Sequence, residues 1–279
     1  MWVGQQLADG LDFWGFLGSL ILGGIILGIY TGLLGYVGAK TGLSLDLLSQ
    51  RAFGEKGSYL PSAMTSFTQI GWFGVGSFVS GGTATPNFAR FAKDGKAGAI
   101  TTVVAFFIGN SLMFFFGAVS SIFVGGNDIF EVMVRLNLFY LAVLVLGLNI
   151  WTTNDNALYT AGLGLANIFH QRKKPMVLLS GIIGTVASVW LYYNFCGWLN
   201  ILNCPLPPVG MILVLAYFMN KEDFETDQPK LKTVDWFAVA GVILGAIVAN
   251  ILHWGIASIN GMVVAAVCYC VGQAVNKRK

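Results

Sequence analysis

Eight stretches of this chain run for about 20 residues or more with few or no Asp, Glu, Lys or Arg side chains. An α-helix needs about 20 apolar residues to cross the roughly 30 Å hydrocarbon core of a bilayer. Only 10% of the 279 residues are charged, against about 25% in soluble domains. The sequence therefore predicts an all-α integral membrane protein and excludes a soluble domain. The stretches lie near 13–38, 60–89, 97–124, 137–165, 175–195, 197–219, 236–254 and 257–275.

The first stretch carries three glycines at four-residue spacing. Gly24, Gly28 and Gly32 fall on roughly one helical face, where the missing side chains let another helix approach closely. We expect this face to be a helix-packing surface.

Basic residues predict the orientation of the chain, because cytoplasmic loops retain Lys and Arg. Five basic groups follow the first, second, fourth, sixth and eighth stretches. Their members are Lys40, Arg51 and Lys56; Arg90, Lys93 and Lys96; Arg172, Lys173 and Lys174; Lys221, Lys230 and Lys232; and Lys277, Arg278 and Lys279. If all five are cytoplasmic, the C-terminus is cytoplasmic as well.

The net charge of +3 is too small to imply a nucleic-acid partner.

The stretch 60–89 has basic loops on both sides, so a single crossing would put one basic group on the wrong face. Its charge-free run of roughly 33 residues would make about 50 Å of continuous helix, which is too long for one upright span. Two half-spans that meet inside the membrane would satisfy both facts. Irregular backbone at that depth is tolerated where it lines a cavity, as in transporter binding sites.

Two polar groupings fall in this same stretch. Gln69 and Trp72 are three residues apart, and an aromatic ring beside an amide suits a planar ligand that forms hydrogen bonds. Interhelical packing explains this pair at least as well. The run 77–83 contains serines and glycines that allow a helix break, although packing of small residues is again an alternative.

A third grouping occupies 149–156. Asn149, Thr152, Thr153 and Asn156 recur at helical spacing and form one polar stripe, and Asp155 is the one carboxylate deep inside a predicted span. Hydroxyl and carbonyl oxygens suit a weakly held monovalent cation better than calcium, which prefers several carboxylates. A single threonine could instead bond back to a helix carbonyl, but the density of the stripe favours a functional role.

The sequence contains no nucleophile elbow, phosphate-binding loop or metal-ligand motif, and neither histidine has a plausible catalytic neighbour. We therefore expect a protein that is not an enzyme and uses no cofactor.

Several strings resemble the nucleobase-cation-symport-1 family, and together they extend over nearly the whole chain. The most specific is 145–159, which contains the polar stripe. The others are 27–31, 35–43, 71–76, 109–114 and 181–186. The resemblance implies the leucine-transporter fold, with twelve helices in an inverted repeat, and sodium-coupled import of a nucleobase such as cytosine. It also implies a multi-pass location in a bacterial-type inner membrane, with the lipid bilayer and the base as partners and no obligate protein partner.

The resemblance also assigns roles to individual residues. Trp72 and Phe78 resemble the aromatic pair that sandwiches the base, and Thr152 and Thr153 resemble the hydroxyls of the sodium site. The hydrogen-bonding partners of the base correspond to Gln69, Ser77, Ser80, Asn149 and Asn154.

Against the family pattern the chain is short, with about eight apolar segments instead of twelve helices. Third-helix sequence passes straight into sixth-helix sequence near 71–80, and the start resembles the middle of the first helix, which would supply the other sodium ligands. We therefore expect one transporter domain, 1–279, with an incomplete inverted-repeat fold. A transport-inactive remnant and a purine or hydantoin carrier remain alternatives.

Overall fold

The computed structural model describes residues 12–75, 83–125, 129–194, 197–198, 204–226, 229, 231–252 and 254–276. Its regular secondary structure is entirely helical across these ranges. The helices are α1 Phe13–Thr41, α2 Leu45–Phe53, α3 Tyr59–Val75, α4 Pro86–Ala89, α5 Gly95–Val104, α6 Asn110–Val124, α7 Ile129–Arg135, α8 Phe139–Phe169, α9 Lys173–Tyr193, α10 Leu206–Met219, α11 Lys221–Glu225, α12 Trp236–Ile251 and α13 Ala257–Asn276. A π-helical turn, Ala105–Gly109, joins α5 to α6.

Within the described ranges, four helical stretches are long and apolar enough to cross a membrane: Phe13–Thr41, Gly95–Val124, Lys173–Leu191 and Ala257–Val275. Two shorter apolar helices, α10 and α12, accompany them. Helix α8 has 31 residues, or about 46 Å at 1.5 Å per residue, and carries the polar stripe. The prediction of an all-helical multi-pass membrane protein is confirmed, while the inverted repeat stays a prediction.

Acidic side chains begin three of these helices. Asp12 accepts a hydrogen bond from the backbone N–H of Gly15 at the start of α1, Asp94 caps α5 and Asp235 caps α12. Each carboxylate satisfies an N–H group that the helix itself leaves unpaired, and its charge complements the positive end of the helix dipole.

The glycine face of α1 packs against α5 and the π-turn. A β-carbon on Gly24 would lie 2.9 Å from the Phe107 ring, and one on Gly32 would lie 2.6 Å from Val103. Further along, Gly98 approaches α1 so closely that a β-carbon there would lie 2.4 Å from that of Ala39. The predicted role of this face in helix packing is confirmed.

The largest apolar core lies where α1, α2, α10, α12 and α13 meet. Tyr217, Phe53, Leu34 and Leu213 in this core are buried almost completely. This core holds together helices that are distant in sequence.

The loops that carry four of the five basic groups meet at one end of the molecule. The contacts that join them are Leu45 N to Asn87 Oδ1 (2.8 Å), Gln50 Nε2 to Asn167 Oδ1 (2.6 Å), Arg51 Nη1 to Asp223 O (2.7 Å) and Lys56 N to Thr233 O (2.9 Å). Both ends of the stretch 60–89 therefore lie at this end, as the basic residues predict. The fifth group, 277–279, lies outside the described residues.

Candidate functional site

A cavity of about 720 Å³ lies among α3, α4, α5, the π-turn, α6 and α8. This volume falls in the range of small-molecule binding pockets, roughly 300–1,000 Å³. Small side chains at Ala84, Gly98, Ala105 and Ala157 line it and leave the space open.

Polar residues from five parts of the fold line the cavity. They are Gln69 from α3, Thr85 beside α4, Thr101 and Thr102 from α5, Asn110 at the start of α6, and Thr153, Asn156 and Thr160 from α8. The three from α8 lie at i, i+3 and i+7, which places them on one face of that helix. Phe88, Phe91 and Phe106 supply aromatic surface in the same cavity.

The polar groups differ in how far the protein satisfies them. The Thr102 hydroxyl donates to the carbonyl of Gly98 at 2.6 Å, which is the usual back-bond of a helical threonine. The Thr160 side chain is only 2% exposed and its hydroxyl has no hydrogen-bond partner. Within the described residues, no hydrogen bond involves the side chains of Gln69, Asn110 or Asn156 either. The unpaired Thr160 hydroxyl carries a free-energy cost, but its oxygen is shielded by the surrounding protein and does not face the open space of the cavity.

Two of the predicted site residues line this cavity. Gln69 is 7% exposed and reaches it from α3, and Thr153 reaches it from α8. Trp72 lies in α3, three residues after Gln69; its side chain is outside the described part of the chain. Ser77, Phe78 and Ser80 also lie outside the described residues.

The other predicted residues on α8 are not part of the cavity lining. Asn149 is exposed on the outer surface of the helix, and Asn154 is half-buried. The Thr152 hydroxyl donates to the carbonyls of Leu148 and Asn149, at 3.2 and 3.0 Å. Thr153 and Asn156 therefore line the cavity, whereas Asn149, on the same face two turns earlier, and Thr152 are exposed outside its lining.

Asn110 and Thr160 line the cavity although the sequence patterns did not single them out. A signal existed for Asn110, which is the one amide side chain in the apolar stretch 97–124. Thr160 continues the stripe by one helical turn beyond Asn156.

A second cavity of about 510 Å³ adjoins the first, and the two share Phe88, Phe91 and Asn156. Asp155, Tyr159 and Lys173 also line it. The Lys173 ammonium lies 3.5 Å from the centre of the Tyr159 ring, a favourable cation–π geometry, and the Tyr159 hydroxyl accepts a hydrogen bond from the Arg90 guanidinium. The second cavity thus opens toward the basic end of the molecule.

A buried carboxylate lies at this basic end. The Asp46 side chain is 5% exposed, and Ser62 Oγ donates to its Oδ1 at 2.6 Å. Burial raises the pKa of Asp46 to about 6, while the bond from Ser62 and the charge of Arg90 act in the opposite direction. Across the described residues no three His, Cys, Asp or Glu side chains cluster as metal ligands.

Comparison with known proteins gives two kinds of match. A family described as permeases for cytosine/purines, uracil, thiamine and allantoin matches residues 1–84 and, separately, 74–275. The cytosine permease of Escherichia coli (strain K12) is 36% identical over 372 aligned positions, which include all of this chain and 88% of the relative. An allantoin permease of Bacillus subtilis (strain 168) is 34% identical over 82 residues, or 29% of this chain and 16% of the relative.

The chain belongs to this family of cytosine and purine permeases. It is a membrane transport protein and not an enzyme. The alignment with the Escherichia coli relative has 93 more positions than the chain has residues, and the two matched stretches overlap at 74–84. The junction expected near 71–80 stays a prediction.

Proposed function

We propose that this permease imports a nucleobase, with cytosine as the leading candidate, by cation symport and alternating access. The observation that carries the proposal is the cavity among α3, α5, α6 and α8, where amide groups and aromatic rings occur together. The name of the Escherichia coli relative supports cytosine as the base.

The chemistry of the cavity suits such a ligand. A primary amide both donates and accepts hydrogen bonds, and the edges of cytosine present an amino donor beside ring-nitrogen and carbonyl acceptors. One amide can therefore pair with a base edge through two bonds, as Asn and Gln do with adenine in DNA recognition. Gln69, buried and without a hydrogen bond among the described residues, is the leading residue for this role.

The remaining roles follow the family resemblance. Trp72 and Phe78 would stack on the two faces of the base. Stacking contributes affinity that does not depend on the hydrogen-bonding groups at the edge of the base. The further hydrogen-bonding residues of the proposed site are Ser77, Ser80, Asn149 and Asn154.

Sodium is the proposed coupling ion, with Thr152 and Thr153 as its hydroxyl ligands. Thr153 has the stronger support of the two, because it lines the cavity. Cation and base would each strengthen the binding of the other by the same factor, so that the sodium gradient drives uptake. The proposed location is the inner membrane, with the basic end and the C-terminus in the cytoplasm.

The test is uptake of labelled cytosine, with and without sodium, by cells that lack their own permease and hold the full chain in the membrane. We expect saturable uptake that requires sodium and is lost in Trp72→Ala. Uptake that is indifferent to sodium would remove sodium coupling from the proposal. A competition panel of purines and hydantoins tests the related substrate classes.

A specific observation favours a second possibility, a transport-inactive protein that retains the family motifs. The 93 alignment positions without a counterpart in this chain are enough for several membrane segments of about 20 residues each. Alternating access needs one repeat to move against the other. Membrane-inserted protein that neither binds nor carries any base would support this alternative.

A further inference from the structure

The helices on the two sides of the first cavity are joined by a hydrogen bond from Arg90 to Tyr159. We propose that this contact, here called the latch, sets the spacing of the two sides and breaks as they move apart during transport. The inference rests on the proposed function, because only a carrier needs such a movement. It gives both residues a positioning role, and the family resemblance assigns a role to neither.

The packing of the helices separates two groups around this cavity. Helices α4, α5 and α6 pack on α1, whereas α3, α8 and α9 pack on one another. In the described part of the chain, direct packing of α4 or α5 against α3, α8 or α9 is sparse, and the cavity of about 720 Å³ occupies the space between them. Because few packing contacts hold the groups together at this level, one polar contact can influence their spacing.

Tyr159 is held within one group and reaches toward the other. It lies on α8, and the ammonium of Lys173, at the start of α9, is 3.5 Å from the centre of its ring. Its hydroxyl accepts the hydrogen bond from Arg90, the residue that follows α4. The Phe88 ring, also from α4, lies 6.1 Å away between ring centres. The latch therefore joins α4 to the pair formed by α8 and α9.

The Arg90 guanidinium is bound in a way that permits release. Among the described residues it forms no ion pair with a carboxylate, and its buried Nε has no hydrogen-bond partner. A hydrogen bond to a neutral hydroxyl is weaker than one to a carboxylate, so it costs less to break. The other neighbour of the guanidinium is the Phe91 ring, at 4.7 Å, and this residue belongs to the same segment and would move with Arg90.

The latch lies beside a path from the first cavity to the basic end. The two cavities share Phe88, Phe91 and Asn156, and Tyr159 lines the second one. Movement of α4 away from Tyr159 would widen the second cavity. It would thereby ease the passage of a bound base toward the basic end.

Spin labels on the two groups measure their spacing directly. Lys96→Cys places one label in the first turn of α5, and Lys174→Cys places the other in the first turn of α9; both side chains are exposed. The distance between the labels is measured by pulsed electron paramagnetic resonance on the full chain in lipid nanodiscs. Serine replaces the native cysteines Cys196, Cys204, Cys268 and Cys270.

Two tyrosine variants form a matched pair. Tyr159→Phe removes the hydroxyl that joins the two groups. Tyr59→Phe removes a hydroxyl that lies 2.6 Å from Nε2 of His170, between α3 and α8 and therefore within one group. Without base, we expect Tyr159→Phe to lengthen the distance between the labels by about 2 Å or more, and Tyr59→Phe to leave it unchanged.

The unmodified protein tests whether the latch breaks during transport. Addition of sodium and cytosine should populate the longer distance that Tyr159→Phe shows without them. A protein that binds cytosine with no change in this distance would overturn the breaking of the latch.

Thermal unfolding separates the latch from a general loss of stability, because both tyrosine variants lose one hydrogen bond and should unfold at similarly lowered temperatures. A distance that is unchanged in Tyr159→Phe, or that changes equally in Tyr59→Phe, would overturn the inference and leave the proposed function standing. An unmodified protein that neither binds nor carries any base would overturn the proposed function, and the role of the latch in transport with it.

Discussion

Ser62 Oγ lies 2.6 Å from Oδ1 of Asp46 and donates a hydrogen bond to it, inside the polar junction that joins α2, α3 and α8. The same hydroxyl accepts a bond from the Asn167 side chain at 2.9 Å. Two buried side chains, Asp46 and Ser62, thus connect α2 and α3 to the end of α8, at the end of the molecule where the basic loops meet.

We predict that protonation of Asp46 makes the folded protein more stable in mild acid than at neutral pH. The pKa of Asp46 is about 6 in the folded protein, above the ordinary value of 3.8. The stability that protonation contributes is therefore fully present below about pH 4 and is lost as the pH rises through about 6. A pKa shift of this size corresponds to a change of about 3 kcal/mol in the free energy of unfolding. Thermal unfolding in nanodiscs between pH 4 and pH 7 measures this change. In Asp46→Asn, the unfolding temperature should depend less on pH over this range. Glu222→Gln, at an exposed side chain, is the control that should leave it unchanged.

A hydrogen bond between Tyr30 and Thr83 joins α1 to the segment that precedes α4. The Tyr30 hydroxyl lies 2.9 Å from Oγ1 of Thr83, which is 3% exposed. Tyr30→Phe should leave the Thr83 hydroxyl buried without this partner and lower stability by about 1–3 kcal/mol. Tyr140→Phe, at a side chain that is 88% exposed, should have almost no effect. Equal unfolding temperatures for the two variants would contradict the prediction.

Gly98 sets the distance between α1 and α5. A β-carbon there would lie 2.4 Å from that of Ala39 and 2.8 Å from the carbonyl oxygen of Gly35. Gly98→Ala should therefore push the helices apart, destabilise the protein by about 1–3 kcal/mol and reduce any base binding in the adjoining cavity. Gly23→Ala adds the same methyl group where nothing lies within 4 Å, so it should be neutral or slightly stabilising. A Gly98→Ala variant as stable as Gly23→Ala would refute the close contact.

Neighbouring threonines on α8 should respond differently to the loss of a hydroxyl. Thr153 lines the cavity, whereas the Thr152 hydroxyl already bonds to two carbonyls of its own helix. Thr153→Val should raise the sodium concentration needed for half-maximal cytosine binding by roughly tenfold. Thr152→Val should raise it by a smaller factor, because the Thr152 hydroxyl is shared with two carbonyls of its own helix. The readout is the sodium concentration that gives half-maximal cytosine binding. Equal effects would mean that both hydroxyls take part, as the family resemblance implies.

The sequence was sufficient to predict the membrane class, the shared location of the four described basic groups and the glycine face of α1, because each depends on composition or on simple spacing. Two of the predicted site residues, Gln69 and Thr153, line the cavity, and their roles in binding stay predictions. Helical spacing could not reveal which part of the stripe along α8 borders the cavity, since that depends on where α3, α5 and α6 pack. Asn149 and Thr152 satisfy the pattern and are exposed outside the cavity lining.

Asn110 escaped prediction for a different reason. It is a single amide in a long apolar stretch, and one polar residue forms no periodic pattern. Thr160 fits the period of the stripe, but its missing hydrogen bond becomes visible only when the surrounding helices are in place.

The π-turn has a consequence for how this helix compares among relatives. Geometrically, it is what a helix forms when it takes in one additional residue without changing its ends. A relative that lacks the turn would carry one residue fewer between Thr102 and Asn110, and its alignment with this chain would need a gap in the middle of a membrane span. Such a gap would mark the relatives in which this span is an unbroken α-helix.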